Sequence, residues 1–160
     1  PRDRRQRQMC IRDRYYNCTA HGGMLGNIYI IGEPGRDTAS ATTSSIANNA
    51  AANITINAAK TYALLKIQTS AAAWVTLYTD STSRSNDSSR NETTDPTPGS
   101  GVIAEVITSG AATQIMTPGL IGWNNDGTPA AQIYARVYNK RATSGSNAIT
   151  VTLTSIKLEA

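Results

Sequence analysis

Few side chains in this sequence could carry out catalytic chemistry. Among its 160 residues there is one His, His21, and there are two Cys, Cys10 and Cys18, all in the first 21 positions. Nucleophilic catalysis sets a Ser, Thr or Cys beside a base. A Ser–His or Cys–His pair therefore cannot be built from the residues after His21 alone. The carboxylates of residues 46–160 are Asp80, Asp87, Glu92, Asp95, Glu105, Asp126 and Glu159. A glycan hydrolase needs two of them across a cleft, about 5–9.5 Å apart, and their spacing pairs none. Glu105 shares a strand face with Ile103 and Ile107, so it is expected to face solvent or to pair with Arg136. The acidic and Asn residues of 80–95 and 124–126 offer oxygen ligands of the kind Ca²⁺ takes, but no D-x-[DN]-x-[DN]-G spacing occurs. Two Cys and one His make neither a Cys/His metal site nor a multi-disulfide scaffold. The reading is non-enzymatic, with no catalytic residue, cofactor or metal.

Binding chemistry is better represented. Trp74 and Tyr78 fall on one face of a strand, and Tyr134 and Tyr138 on one face of another. Both pairs are out of phase with the aliphatic set Val75, Leu77, Ile133 and Val137. If the aliphatics fill the core, the aromatics point outward. There they would stack on a host-surface glycan, beside Asn125 and Asp126, or pack at a subunit interface, where Tyr and Trp are enriched. The opposite phase would put the aromatics in the core. Trp123 precedes the turn Asn124-Asn125-Asp126-Gly127 and is expected to anchor it. Four Asn-x-Ser/Thr triplets, at Asn17, Asn53, Asn86 and Asn91, are expected by chance in so Asn-, Ser- and Thr-rich a chain.

The elements that must hold these residues are strands. Thr (21) and Ser (14) are abundant, Phe is absent and only 16% of residues are charged, a composition that favours strands over helices. Apolar residues recur with period two in 54–57, 62–68, 73–78, 102–107, 114–116, 120–123, 133–138 and 149–154. Turn residues separate these runs. A phase shift after Ser155 suggests a bulge. About eight half-buried strands without helical periodicity predict a single antiparallel β-sandwich, jelly-roll-like. The expected organisation is a disordered or artefactual segment over 1–26, a short strand (27–31) and linker over 27–45, and the sandwich over 46–160. One stretch breaks the rhythm: residues 79–100, TDSTSRSNDSSRNETTDPTPGS, are polar throughout. So long a connection is expected either to contact a ligand or partner or to be a solvated excursion.

Charge is uneven. The net charge of +4 lies entirely in residues 1–14, and residues 15–160 are neutral by count. The sandwich therefore shows no basic excess of the kind nucleic-acid binding needs. No run of 18 apolar residues could insert into a membrane as a helix. Residues 7–14, RQMCIRDR, resemble translated sequencing-adapter read-through, which would leave the true N-terminus missing. The alternative is a basic tail for polyanions.

Three segments carry a resemblance: Tyr62–Asp80 (YALLKIQTSAAAWVTLYTD), Thr94–Val106 (TDPTPGSGVIAEV), and Ala148–Thr154 (AITVTLT) followed by Leu158-Glu159. Together they resemble a β-rich C-terminal module of virion structural or tail-fibre-like proteins of marine tailed phages, over about residues 38–160. The resemblance implies a virion location, a role in assembly or host-surface attachment, and self-association, with a trimer the typical form, beside other virion proteins. It implies no catalytic residues. An upstream fibre or anchoring region would be missing from this chain. The alternative is a monomeric carbohydrate-binding or adhesin module.

Overall fold

The computed structural model describes residues 35–142 and 145–160, and the backbone of two short strands, 14–17 and 25–28. The chain separates into two compact units, Pro1–Glu33 and Pro34–Ala160. In the first, β1 (Arg14–Asn17) and β2 (Leu25–Ile28) pair antiparallel. β2 overlaps the strand expected over 27–31 at residues 27 and 28, and residues 29–31 lie outside the described residues. The adapter-like residues 7–13, together with Cys10, Cys18 and His21, lie outside the described residues.

The second unit contains β3 (Arg36–Thr42), β4 (Ile46–Ala47), β5 (Ala51–Asn57), β6 (Thr61–Thr69), β7 (Ala73–Tyr78), α1 (Ser81–Asn86), β8 (Val102–Thr108), β9 (Ala112–Trp123), β10 (Gln132–Asn139), β11 (Ser146–Asn147) and β12 (Thr150–Glu159). The eight longer strands form two four-stranded sheets, β3-β12-β6-β9 and β5-β10-β7-β8. Counted along the chain, the first of these strands pairs with the eighth, the second with the seventh, the third with the sixth and the fourth with the fifth. The unit is one long hairpin rolled into two sheets, a jelly-roll sandwich. Every pairing is antiparallel. The tip of the long hairpin, between β7 and β8, is the polar stretch 79–101.

The aliphatic phase meets between the sheets. Ile54, Ile56, Val75, Leu77, Ile133 and Val137 from one sheet pack with Tyr62, Leu64, Ile67, Val151 and Leu153 from the other. Each large side chain fully buried here contributes about 1.5–3 kcal/mol of transfer free energy. In β6 the buried positions pass from Tyr62 and Leu64 to Ile67 and Thr69. The change of phase comes from an extra residue, Leu65, which has no partner in β12 or β9. One irregularity therefore sits in β6 opposite Thr154 and Ser155, and a second lies in β12 itself, after Ser155 as expected, where Leu158 has no partner in β6. On β9, Met116–Gly119, with a cis Thr117–Pro118 peptide, loops out at the same level. This excursion explains why 114–116 and 120–123 read as two strands although they belong to one.

The 27–45 linker expectation needs correction. Arg36–Thr42 is the first strand of the sandwich and pairs with β12 from Thr42↔Thr150 to Ile156↔Arg36. Its sequence, RDTASAT, has only Ala39 and Ala41 on its inner face. Such small side chains give almost no apolar alternation. The strand forms because β12 presents a free edge to it.

Candidate functional site

The outer face of the β5-β10-β7-β8 sheet carries the aromatics identified in the sequence. Cross-strand register sets Trp74 opposite Tyr138, Thr76 opposite Arg136, and Tyr78 opposite Tyr134. The aliphatic phase is in the core, so these rings do point away from it. Two of them are nevertheless closed to solvent, Trp74 being 7% exposed and Tyr78 only 1%, while Tyr134 and Tyr138 are half-buried. The segment 79–101 folds back over this face as a strap, and the chain itself covers the rings.

The start of the strap is held by local hydrogen bonds. Asp80 caps α1: its carboxylate accepts from the Ser83 backbone N–H at 2.7 Å and from the Ser83 and Thr79 hydroxyls at 2.9 Å. Short oxygen-bearing residues favour this position because they satisfy amides that the first helical turn leaves free. Burial pushes the Asp80 carboxyl up, but these hydrogen bonds outweigh it and hold the group below the usual carboxylate range.

Two arginines fasten the strap to the sheet. Arg84 lies 5.2 Å from the centre of the Tyr134 ring and donates to the Ile54 carbonyl at 2.8 Å. Arg90 lies 5.2 Å from the centre of the Trp74 ring. These are cation–π distances. Arg90 Nε donates to Asp87 Oδ1 at 2.8 Å, and Arg90 Nη2 pairs with Glu105 on β8. Tyr78 donates its hydroxyl to Asp87 Oδ2 at 2.8 Å, and Arg136 reaches the Asp87 carbonyl at 3.3 Å. Lys140 pairs with Glu92 further along the strap. Burial raises the Asp87 pKa, yet the bonds from Arg90 and Tyr78 prevail and lower it overall. Burial disfavours the Arg90 charge, but the bonds to Asp87 and Glu105 more than restore it. Burial, reinforced by the bond to Asp87, raises the Tyr78 phenol.

The predicted residues therefore separate into distinct settings. Trp74 and Tyr138 meet at 6.0 Å between ring centres, under the strap. Tyr134 donates to Asp126 at 2.7 Å, so that carboxylate fixes a tyrosine. Asn125 lies apart from the row, lining a second cleft with Trp123. Glu105 is half-buried on the outer face and pairs with Arg90 rather than Arg136, and Thr76 donates to it at 3.4 Å. Sequence reasoning missed Asp87, Arg84 and Arg90. The available signal was two Arg in an otherwise Ser-, Asp- and Asn-rich connection, beside strands with outward aromatics.

On the opposite sheet no described residue covers the outer face. Its outer rows, read across β3, β12, β6 and β9, are Ser40-Thr152-Gln68-Thr113, then Thr38-Thr154-Lys66-Ile115, then Arg36-Ile156-Ala63-Ile121. Ile115 is 67% exposed at the middle of these rows. Among the described residues, no three His, Cys, Asp or Glu side chains gather as a metal site would require. The chain matches no protein-family model, no curated protein and no solved structure.

Proposed function

We propose that this protein is a non-enzymatic structural module of a phage virion, part of a tail fibre or particle surface, which acts by assembling with copies of itself. The observation that carries the reading is the asymmetry of the two outer faces. One is roofed by the strap; the other is hydroxyl-rich, with Arg36 and Lys66 the charged residues of its rows and Ile115 projecting from its edge strand, and no described residue covers it. Interface cores are depleted in charged residues, and an uncovered β face of this composition can pack on its equivalent around a closed symmetry axis. The jelly-roll order, a frequent one among capsid proteins, and the resemblance over residues 62–106 support the same reading. Tyr and Trp under the strap do not favour the alternative of glycan stacking on that row.

Light scattering on the full chain over a range of concentrations tests the reading. The expected result is a stable mass of an integral multiple of 17.0 kDa, a trimer for a fibre, reduced to the monomer by Ile115→Glu. A strict monomer at all concentrations overturns it.

A further inference from the structure

We infer that a second site, at the tip of the rolled hairpin, binds an uncharged saccharide. It is a cleft of about 480 Å³ between the end of β9 and residues 96–101 of the strap, within the size range of small-molecule sites. Trp123 lines it and is 48% exposed, whereas the protein's other Trp is buried. The indole combines a large apolar ring face with a polar N–H, and an apolar ring face is the surface on which the C–H face of a pyranose stacks.

The local chain geometry holds that indole ready. Asn124 is pinned inward: its amide donates to the Gln132 carbonyl at 3.1 Å, and its side-chain oxygen accepts from the Asp126 and Ala130 backbone N–H groups at 3.1 and 3.3 Å. Its own backbone N–H donates to the Lys60 carbonyl at 2.7 Å. Extended backbone alternates its side chains, so Trp123 and Asn125 project to the same side, into the cleft. The Asn125 backbone N–H donates to the Thr79 carbonyl at 2.8 Å, and the Thr79 N–H to the Gly101 carbonyl at 2.9 Å. The two walls are thereby tied together before any ligand arrives, which lowers the ordering cost of binding.

The polar groups specify the ligand class. Asn125, exposed, offers one amide that both donates and accepts, matching a pair of neighbouring hydroxyls. Ser100 also lines the cleft, but its hydroxyl is buried beneath that surface, without a partner among the described residues, and is not offered to a ligand. Asp80 is the only charged side chain in the lining. No Lys or Arg stands there to balance an anion, so phosphorylated or acidic sugars are disfavoured. The site lies at the Trp123 end of the β3-β12-β6-β9 sheet, beyond its Thr rows, and does not rest on self-assembly.

Amide and indole NMR spectra of the full chain test the inference, with glucose, galactose, mannose and N-acetylglucosamine as probes and glucuronate as the acidic control. The expected result is a saturable shift of the Trp123 indole and the Asn125 and Gly101 amides with at least one neutral sugar, while the Trp74 indole stays in place. Trp123→Ala and Asn125→Ala each weaken binding about tenfold or more, equivalent to ~1.4 kcal/mol, with the Trp74 resonance unmoved as proof of folding. The inference is overturned if none of the four sugars gives a saturable shift. Glucuronate binding as well as glucose, or undiminished affinity in Trp123→Ala, overturns it too. A monomer that binds sugar would sink the assembly reading and leave this one standing.

Discussion

Replacing Arg90 with Ala isolates what holds the strap. Its side chain is 7% exposed and it joins three groups: Asp87 at 2.8 Å, Glu105, and the Trp74 ring at 5.2 Å. Removing one member of a buried ion pair costs about 3–5 kcal/mol, because the remaining charge is left uncompensated. Glu105 keeps partial access to water, with 24% of its side chain exposed, so the lower end applies to it. Loss of the cation–π contact adds ~1 kcal/mol. A local loss near 4 kcal/mol exceeds what a surface segment of the strap's length, residues 79–101, ordinarily holds in docking free energy, since such segments open at the low end of a protein's stability range. The strap should therefore release before the sandwich unfolds, and the global loss should be smaller than the local one. Tryptophan fluorescence reads this directly, because Trp123 is already exposed and Trp74 is not. Arg90→Ala should red-shift the emission and make a second indole accessible to a neutral quencher, with the far-ultraviolet β signal retained. Arg90→Lys, which offers a point charge in place of a planar fork, should fall between the two. Unchanged quenching, with unfolding free energy within ~0.5 kcal/mol of the parent, would refute the reasoning.

The same contact predicts a pH response. Asp87 has its folded pKa lowered, so its contribution is complete above the unfolded value, ~3.9, and is lost as pH falls through the folded value. Trp74 quenching should rise below about pH 4, and Asp87→Asn should remove that transition; a midpoint near neutrality would count against it. Gly101 has φ of +80°, and a Cβ there would overlap the Ser83 hydroxyl and lie 2.6 Å from that of Thr79. Gly101→Ala should cost ~1–3 kcal/mol and loosen the strap in the same quenching assay. Gly110→Ala, where a Cβ meets nothing within 4 Å, serves as the neutral comparison.

The sequence by itself determined the class of fold and most of the core. Period-two alternation is a local property: it grouped Ile54 with Ile56, Val75 with Leu77, Ile133 with Val137 and Val151 with Leu153 on shared faces but left open which faces turn inward, and the structure turns these aliphatic ones inward. It failed where the alternation is weak or interrupted. In Arg36–Thr42 the inner residues are only Ala, and in β9 the excursion at Met116–Gly119 breaks the rhythm. Tertiary structure alone decided which strand lies beside which, because alternation assigns a face to each residue but no partner to each strand. It also decided the fate of the aromatic row. Trp74, Tyr78, Tyr134 and Tyr138 do face away from the core, yet their cover comes from Arg84, Asp87 and Arg90, met by Glu105 from another strand. Trp123 and Asn125 became a site for the same reason. Their cleft needs residues 96–101 brought back against the end of β9, a closure set by long-range packing between segments that no local pattern links.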